Sequence, residues 1–551
     1  MKLSSKKWQK LFAAALAVTL APVSALAEDK DKDDPNGRRE AMDAWYNEAY
    51  GPKQNGKRKK DGPWAPAFRK FMNEAAAKER AKYASQLPGT ATTITAVTDP
   101  TATVAATGST WVNIGPTKSD YIENGSYKLA KTDAGRVRNI IPVPGTTTLY
   151  AAFSGGGVWK STNGGTTWTP ITETLGSLSV GSLELDPNNS NTLYLGLGDP
   201  FDGTGIGLVK STDGGATWMA PVYLGNATSI TDLQVVPGNS NIVLATTNAG
   251  LFRSVDAGAT WSQVSLNTGY AEAPSGWSIA HAGGTRFIAT LEAQPSAASG
   301  NTQGQVWVTA DAGATWTRST GVTSTAGLER MTVATAPSSP TTVYVLAAKP
   351  GGDLAEIFKS TNGGTSFTAT SAAGKRYKNA NTESRTVGTL FNTQGWYDQL
   401  IIVNPKNANE LFIGGALHLA KSTDGGTSYS MVSNWLGQFS LPYVHADWHT
   451  AIVVRVGSNY MALAGHDGGL SVSRDVFDAP TGAQVNWQHP NIGIVTHLPY
   501  SVGSGDPVYG NASVVFSGLQ DNGTRFRLID DETFMADFDL QNWDQIRGGD
   551  G

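Results

Sequence analysis

"STNGGTTW" at 161–168, "STDGGATW" at 211–218 and "STDGGTSY" at 422–429 are nearly the same eight residues. Related octets stand at 254–261, 309–316 and 360–367, and a degenerate copy, "SRDVFD", starts at Ser473. The steps between them are 50, 43, 55, 51, 62 and 51 residues, so one unit is about fifty residues long. Upstream of the octet, a unit carries an apolar run, a Pro/Asn turn and a second apolar run. Examples are "LELDPNNSNTLYLG" (183–196), "LQVVPGNSNIVLAT" (233–246) and "IIVNPKNANELFIGG" (401–415). That pattern predicts about four short strands per unit. One small sheet cannot bury both its faces, but blades stacked in a ring bury them against each other. The expected fold is all-β: a β-propeller of roughly eight or more four-stranded blades.

The octet itself explains why it is repeated. Its Asp or Asn (Asn163, Asp213, Asp256, Asp311, Asn362, Asp424) accepts hydrogen bonds from the backbone of its own turn. Its glycine supplies the positive φ of a tight hairpin, and its aromatic residue can fill the space between blades. A catalytic group is needed once, whereas this turn is written seven times, so these positions read as structural.

The octet resembles the Asp-box, or bacterial neuraminidase repeat, over about residues 109–551. That repeat occurs in sialidases, xyloglucan-degrading glycosidases, the sortilin ectodomain and photosystem-assembly propellers. "AGRV" (134–137), "GWYDQ" (395–399), "HADWH" (445–449) and "GLQDNGT" (518–524) are similar to the secreted bacterial group called glycosyl-hydrolase-like or sortilin-like. The resemblance implies a polysaccharide bound or hydrolysed at the channel mouth, with glycoside hydrolase as the enzyme class. The alternative it leaves open is a non-catalytic propeller that binds extracellular peptide or protein, or a surface adhesion protein. The xyloglucan-degrading propellers place a catalytic Asp before the Gly-Gly of a turn. Here "YAAFSGGGVWKS" (150–161) has Ser154 at that place, and "AGHDGGLSVS" (464–473) has His466, with Asp467 one residue later. Both departures count against that particular activity. For a sialidase, Arg136 and Arg330 are candidate arginines, but a third is missing.

In a propeller the innermost strands line the central channel, and ligands bind at one mouth. The apolar run before each Pro/Asn turn is the expected innermost strand. The residues leading into those runs then form a ring: Arg136, Asp232, Trp277, Arg330, Trp396, Tyr397, Asp398, the "HADWH" segment, His497 and Tyr500. Six of the seven histidines fall between His418 and His497. Residues two apart in a strand share a face, so His445, Asp447 and His449 are expected to project together, with His466 and Asp467 nearby. Such a set suits a hydrogen-bonded polar plug, a ligand or proton-transfer site, or a divalent metal. Asp398, Asp447 and Asp467 are the candidate catalytic carboxylates. Trp277, Trp396 and Trp448 are candidate sugar-stacking rings.

Lys+Arg 42 against Asp+Glu 46 gives no electrostatic case for nucleic acid, and the absence of cysteine excludes disulfides and thiolate chemistry. No motif calls for a cofactor or a resident metal. Residues 1–27 have a basic start, a short apolar stretch and "ALA" before Glu28. They read as a signal peptide cleaved after Ala27, giving a secreted or periplasmic bacterial protein with no membrane span left. Residues 28–85 read as a charged, then helical extension, and 86–108 as a Thr/Ala-rich linker. "GSTWVNIGP" (108–116) looks like the tail of an octet, while the unit holding "GLQDNGTRFRL" lacks one. That mismatch predicts an incomplete ring, or two propellers, continuing past Gly551. Oligomeric state is left open.

Overall fold

In the computed structural model the described residues are 126–201, 203–293, 303–377, 386–435, 441–456, 459–475, 477, 486–504, 514–528 and 542–547, with short strands at 94–95, 105–106, 109–110 and 118–123. The expected signal peptide, helical extension and "WVNIGP" segment lie outside them. The described residues contain no α-helix, and none of their helices is long and apolar enough to cross a membrane.

Seven antiparallel blades form a closed ring. Blade 1 runs through Val137–Pro142, Leu149–Phe153, Gly157–Ser161 and Thr169–Pro170, and blade 7 ends at Trp487–Gln488. The other inner strands are Val180–Leu185, Ile230–Val236, Gly276–His281, Met331–Ala336, Leu400–Asn404 and Trp448–Val456. Each packs beside the next, and Trp448–Val456 packs beside Val137–Pro142. Blade 2 is the irregular one. Its outermost strand, Thr217–Trp218, pairs with Ile94–Thr95, inside the stretch expected to be a linker.

Burial follows the ring. Every neighbouring pair of blades shares its own apolar cluster. Tyr150, Ile171, Leu183 and Trp218 join blades 1 and 2, and Ile140, Trp159, Leu463 and Leu470 join blades 1 and 7. Closure is therefore by packing of two complete blades rather than by one blade shared between chain ends. This corrects two expectations: the ring has seven blades, not eight or more, and it closes within residues 137–488. The octet-less segments instead build a separate six-stranded sheet, in the order 499–504, 514–519, 523–528, 542–547, 118–123 and 126–132. This flanking sheet is tied to the ring by Arg525, which donates to Asp133 at 2.9 Å, and by Asn522, whose amide donates to the Asp467 carbonyl at 2.9 Å.

The octets form the turns their composition predicts. The Ser211 hydroxyl accepts from Gly215 N–H at 2.8 Å and donates to Asp213 at 2.8 Å, while Asp213 accepts from Thr217 N–H at 2.9 Å. The degenerate seventh copy keeps the pattern: Ser473 donates to Asp475, and Asp475 accepts from the more distant Asn486 N–H at 3.0 Å. Each turn also serves its neighbour. Lys160 and Tyr150 of blade 1 both donate to the Gly214 carbonyl of the next octet, and Lys210 and Tyr194 repeat this one blade on, at Ala257. The aromatic position splits in use. Trp168 and Trp218 donate across a blade boundary, to Pro490 and Ile171 carbonyls, but Trp261 and Trp316 donate within their own turn.

Strand register places octets and inner-strand starts at opposite ends of a blade. In blade 1, Val137, Phe153 and Gly157 align at one end, while Pro142, Leu149 and Ser161 align at the other. Asp213→Ala is accordingly expected to lower stability by about 0.5–2 kcal/mol, as for loss of a local cap, and to leave ligand retention unchanged. A variant that melts normally but no longer binds would contradict this.

Candidate functional site

The starts of the inner strands converge on one end of the channel, as their position before the apolar runs implies. Arg136 precedes the inner strand of blade 1 and is 2% exposed. Its guanidinium pairs with Asp199, bonds the Ser154 hydroxyl at 2.7 and 3.0 Å, and reaches the Tyr397 hydroxyl. Burial pushes the Asp199 carboxyl up, but Arg136, Arg138, Ser154 and the Phe201 N–H together hold it below the usual carboxylate range. Ser154 thus serves as a bridge between Arg136 and Asp199.

Tyr397 is the hub. Its hydroxyl donates to Asp467 Oδ2, and burial, with the Asp467 charge, keeps the phenol protonated. Asp467 Oδ1 accepts from His449 Nε2 at 2.6 Å. Burial and the charges of Arg136, Arg138 and Arg330 push the His449 pKa well below its ordinary value. His449 is therefore neutral and shares one proton between its Nε2 and Asp467 Oδ1, whose carboxyl burial pushes up. Asp398, 0% exposed, lies against Asp447 and near Asp467. Burial, then those two carboxylates, raises the Asp398 pKa well above the ordinary range. Asp521, from the hairpin turn of the flanking sheet, completes the group: Asp447, Asp467 and Asp521 each bring an oxygen within 4.8 Å of the others. Asp447 and Asp521 both adopt left-handed backbone, with φ 63° and 56°. Non-glycine residues occupy that region at a cost.

Aromatic rings wall the opposite side. Phe201, from the loop after the second strand of blade 2, stacks on Trp277 at 5.8 Å and meets Tyr397 edge-on at 4.8 Å. Arg330 lies 4.6 Å over Trp277 and donates to the Trp396 and Tyr397 carbonyls. Trp277 is 5% exposed, so its ring is a packed wall and not an open stacking face. Trp396 is half-buried and beside Tyr397.

Several expected members stand elsewhere. The "HADWH" segment is not a strand throughout: the strand begins at Trp448, and the left-handed Asp447 breaks the two-residue periodicity. His445 consequently stacks on His466 at 5.7 Å. His466 is buried and neutral, accepts from Gly468 N–H on Nδ1 and meets the Ser471 hydroxyl with Nε2. Trp448 packs between His466 and Trp487. Asp232 is half-buried beside Arg138 and accepts from the Ile279 N–H. The side chain of Tyr500 lies outside the described residues. Sequence reasoning assigned no role to Asp199, Phe201 or Asp521. Only Asp521 carried a signal, as part of "GLQDNGT".

His497 sits at the edge of the site, half-buried, with no partner on either ring nitrogen among the described residues. Burial, then Arg525 and His445, push its pKa down to about 3. An unfolded histidine protonates near 6.5. The folded state therefore binds fewer protons, and its stability falls as pH drops below about 6.5 toward 3. His497→Asn is expected to lose less stability than the native chain between pH 7 and pH 5. Parallel denaturation curves for the two would refute this.

No family model and no curated protein matches the sequence. Solved structures do. The GH74 xyloglucanase from Xanthomonas campestris superposes with a TM-score of 0.53 at 19% identity, covering 72% of this chain and 59% of that one. The GH74 enzyme of Niastella koreensis gives 0.50, 19%, 72% and 59%. The chain thus spans 59% of the length of either neighbour. What the likeness establishes is the fold, a β-propeller.

Proposed function

We propose that this is an exported propeller that binds a polysaccharide at the channel mouth around Asp398, Asp447 and Asp467. The observation that carries the reading is the gathering of carboxylates, a phenol and a neutral imidazole at the channel end away from the octets. Polyols are held by hydrogen bonds, and carboxylates that accept from paired hydroxyls suit them. The xyloglucanase named above acts on a polysaccharide in the same fold, which supports the class of ligand but not its identity.

Binding is the arm of this reading that the geometry favours over hydrolysis. Glycosidases flank the scissile bond with two carboxyl groups about 5–9.5 Å apart. Here Asp398 and Asp447 touch each other, and Ser154 stands where the xyloglucan-degrading pattern has an acid. Peptide capture needs an open apolar wall, whereas Trp277 and Phe201 are closed against each other.

The test is a panel of plant, fungal and bacterial polysaccharides, xyloglucan included, assayed for retention and for reducing-end release. The expected result is retention without release, weakened at least tenfold by Asp467→Asn in a chain that still folds. Retention of no glycan, or equal retention by the variant, would overturn the reading.

A further inference from the structure

Arg138 stands on the inner strand of blade 1 and is 8% exposed. Its Nε has no hydrogen-bond partner among the described residues. Arg330, 5% exposed, immediately precedes the inner strand of blade 5, and its Nε is also without a partner there. Its Nη1 donates to the Trp396 and Tyr397 carbonyls. The two guanidinium carbons lie 5.0 and 5.4 Å from the centre of one ring, Phe201, and that of Arg136 lies 5.5 Å from it. Three buried cations thus crowd a single phenyl ring. A ring face attracts a cation, but a buried charge that lacks a hydrogen-bonding counterpart is costly.

The protein's own anions nearby do not supply that counterpart to Arg138. Asp199 is bound to Arg136 and Ser154 and reaches Arg138 through its field. Asp232 accepts from the Leu233 and Ile279 N–H groups. Asp398 is carried toward its neutral form by burial and by Asp447, and Glu292 accepts from Trp277 Nε1 at 3.2 Å. Unpartnered Nε–H groups on two planar forks suit a planar anion with two oxygens. A carboxylate accepts from guanidinium groups in that way, whereas a hydroxyl offers one uncharged oxygen. The chain's net charge of -4 gives it no general pull on polyanions, so any attraction for one has to be local.

We propose, building on the glycan reading above, that Arg138 and Arg330 hold the carboxylate of an acidic sugar, so that the polysaccharide taken at this mouth bears uronate groups. The two chemistries of such a sugar then go to separate groups of residues. Its hydroxyls donate to Asp447 and Asp467, and its carboxylate accepts from Arg138 and Arg330. Arg136 is not part of the pair, because Asp199 already answers its charge. A protonated Asp398 also spares the ligand one repulsive charge beside Arg330.

The test measures retention of the full chain on polygalacturonate, on the same polymer methyl-esterified, on a sulfated dextran and on neutral xyloglucan. The expected result is polygalacturonate held at least tenfold more tightly than its methyl ester, with the sulfated polymer no better than the ester. Arg138→Gln should remove the acid-over-ester preference and melt no lower than the native chain, since it takes away a buried charge. Arg138→Lys keeps the charge but not the fork, and should restore less than half of the preference. If the Gln variant fails to fold, the acid–ester comparison on the native chain decides alone. Equal retention of acid and ester would overturn the carboxylate subsite and leave the glycan reading standing, provided either is held. So would a preference that Arg138→Gln leaves intact, which would make Arg138 a structural cation. Sulfated dextran held as tightly as polygalacturonate would overturn the choice of carboxylate. Retention on none of the polymers would sink both readings.

Discussion

Arg136→Met is expected to cost about 3–5 kcal/mol, the loss typical of removing one partner from a buried ion pair. The reason is Asp199. Its side chain is 2% exposed, and it stays ionised because Arg136 leads the groups that offset its burial. With the guanidinium gone, the carboxylate must either remain charged in a dry site or take up a proton. Ser154 and the Tyr397 hydroxyl lose a donor at the same time. Asp199→Asn added to the same chain should recover a large part of the loss, since it removes the uncompensated charge. Denaturant midpoints of the two single variants and the double variant supply the comparison. A single-variant cost below about 1 kcal/mol would show that Arg138 alone suffices to hold Asp199.

Trp218→Ala should cost a similar amount, about 3–5 kcal/mol, as for other buried tryptophans. The ring is 0% exposed, packs in the cluster joining blades 1 and 2, and donates to the Ile171 carbonyl at 2.8 Å. Trp261→Ala, at the equivalent octet position one blade on, should cost less than half as much. That ring is half-buried and donates only within its own turn. Equal losses would mean that the octet aromatic stabilises the turn and not the blade boundary.

The contrast between these tryptophans marks what the sequence makes legible. The octet turn is local, so the backbone bond of Asp213 and the positive φ of Gly215 could be assigned from spacing alone. The second strands were also legible, because a run buried on both faces is apolar throughout, as in "LYAAF" (149–153). Blade number was not. Strand-forming segments carry no mark of the sheet they will join, so "GLQDNGTRFRL" looked like a damaged blade and proved to be flanking sheet. The same limit applies at the site. Asp398 and Asp447 could be named because they lead into inner strands, and Asp467 because "GHDGG" sets a carboxylate just after the next strand of the same blade. Asp199 and Phe201 could not, because a loop carries them over the channel and its path follows no period. The joint placing of His445 with His449 failed for a different reason: one left-handed residue, Asp447, ends the alternation on which it rested.

The flanking sheet gives the chain an order of assembly. All seven blades are complete by residue 488, and the last of the three clustered carboxylates, Asp521, follows in a hairpin outside the ring. Chains fold in units as they emerge, the N-terminal part first. The ring can thus close while only two of the three acids are present. The final carboxyl is delivered late, onto a scaffold that is already closed, instead of burdening the nucleus from which the blades grow.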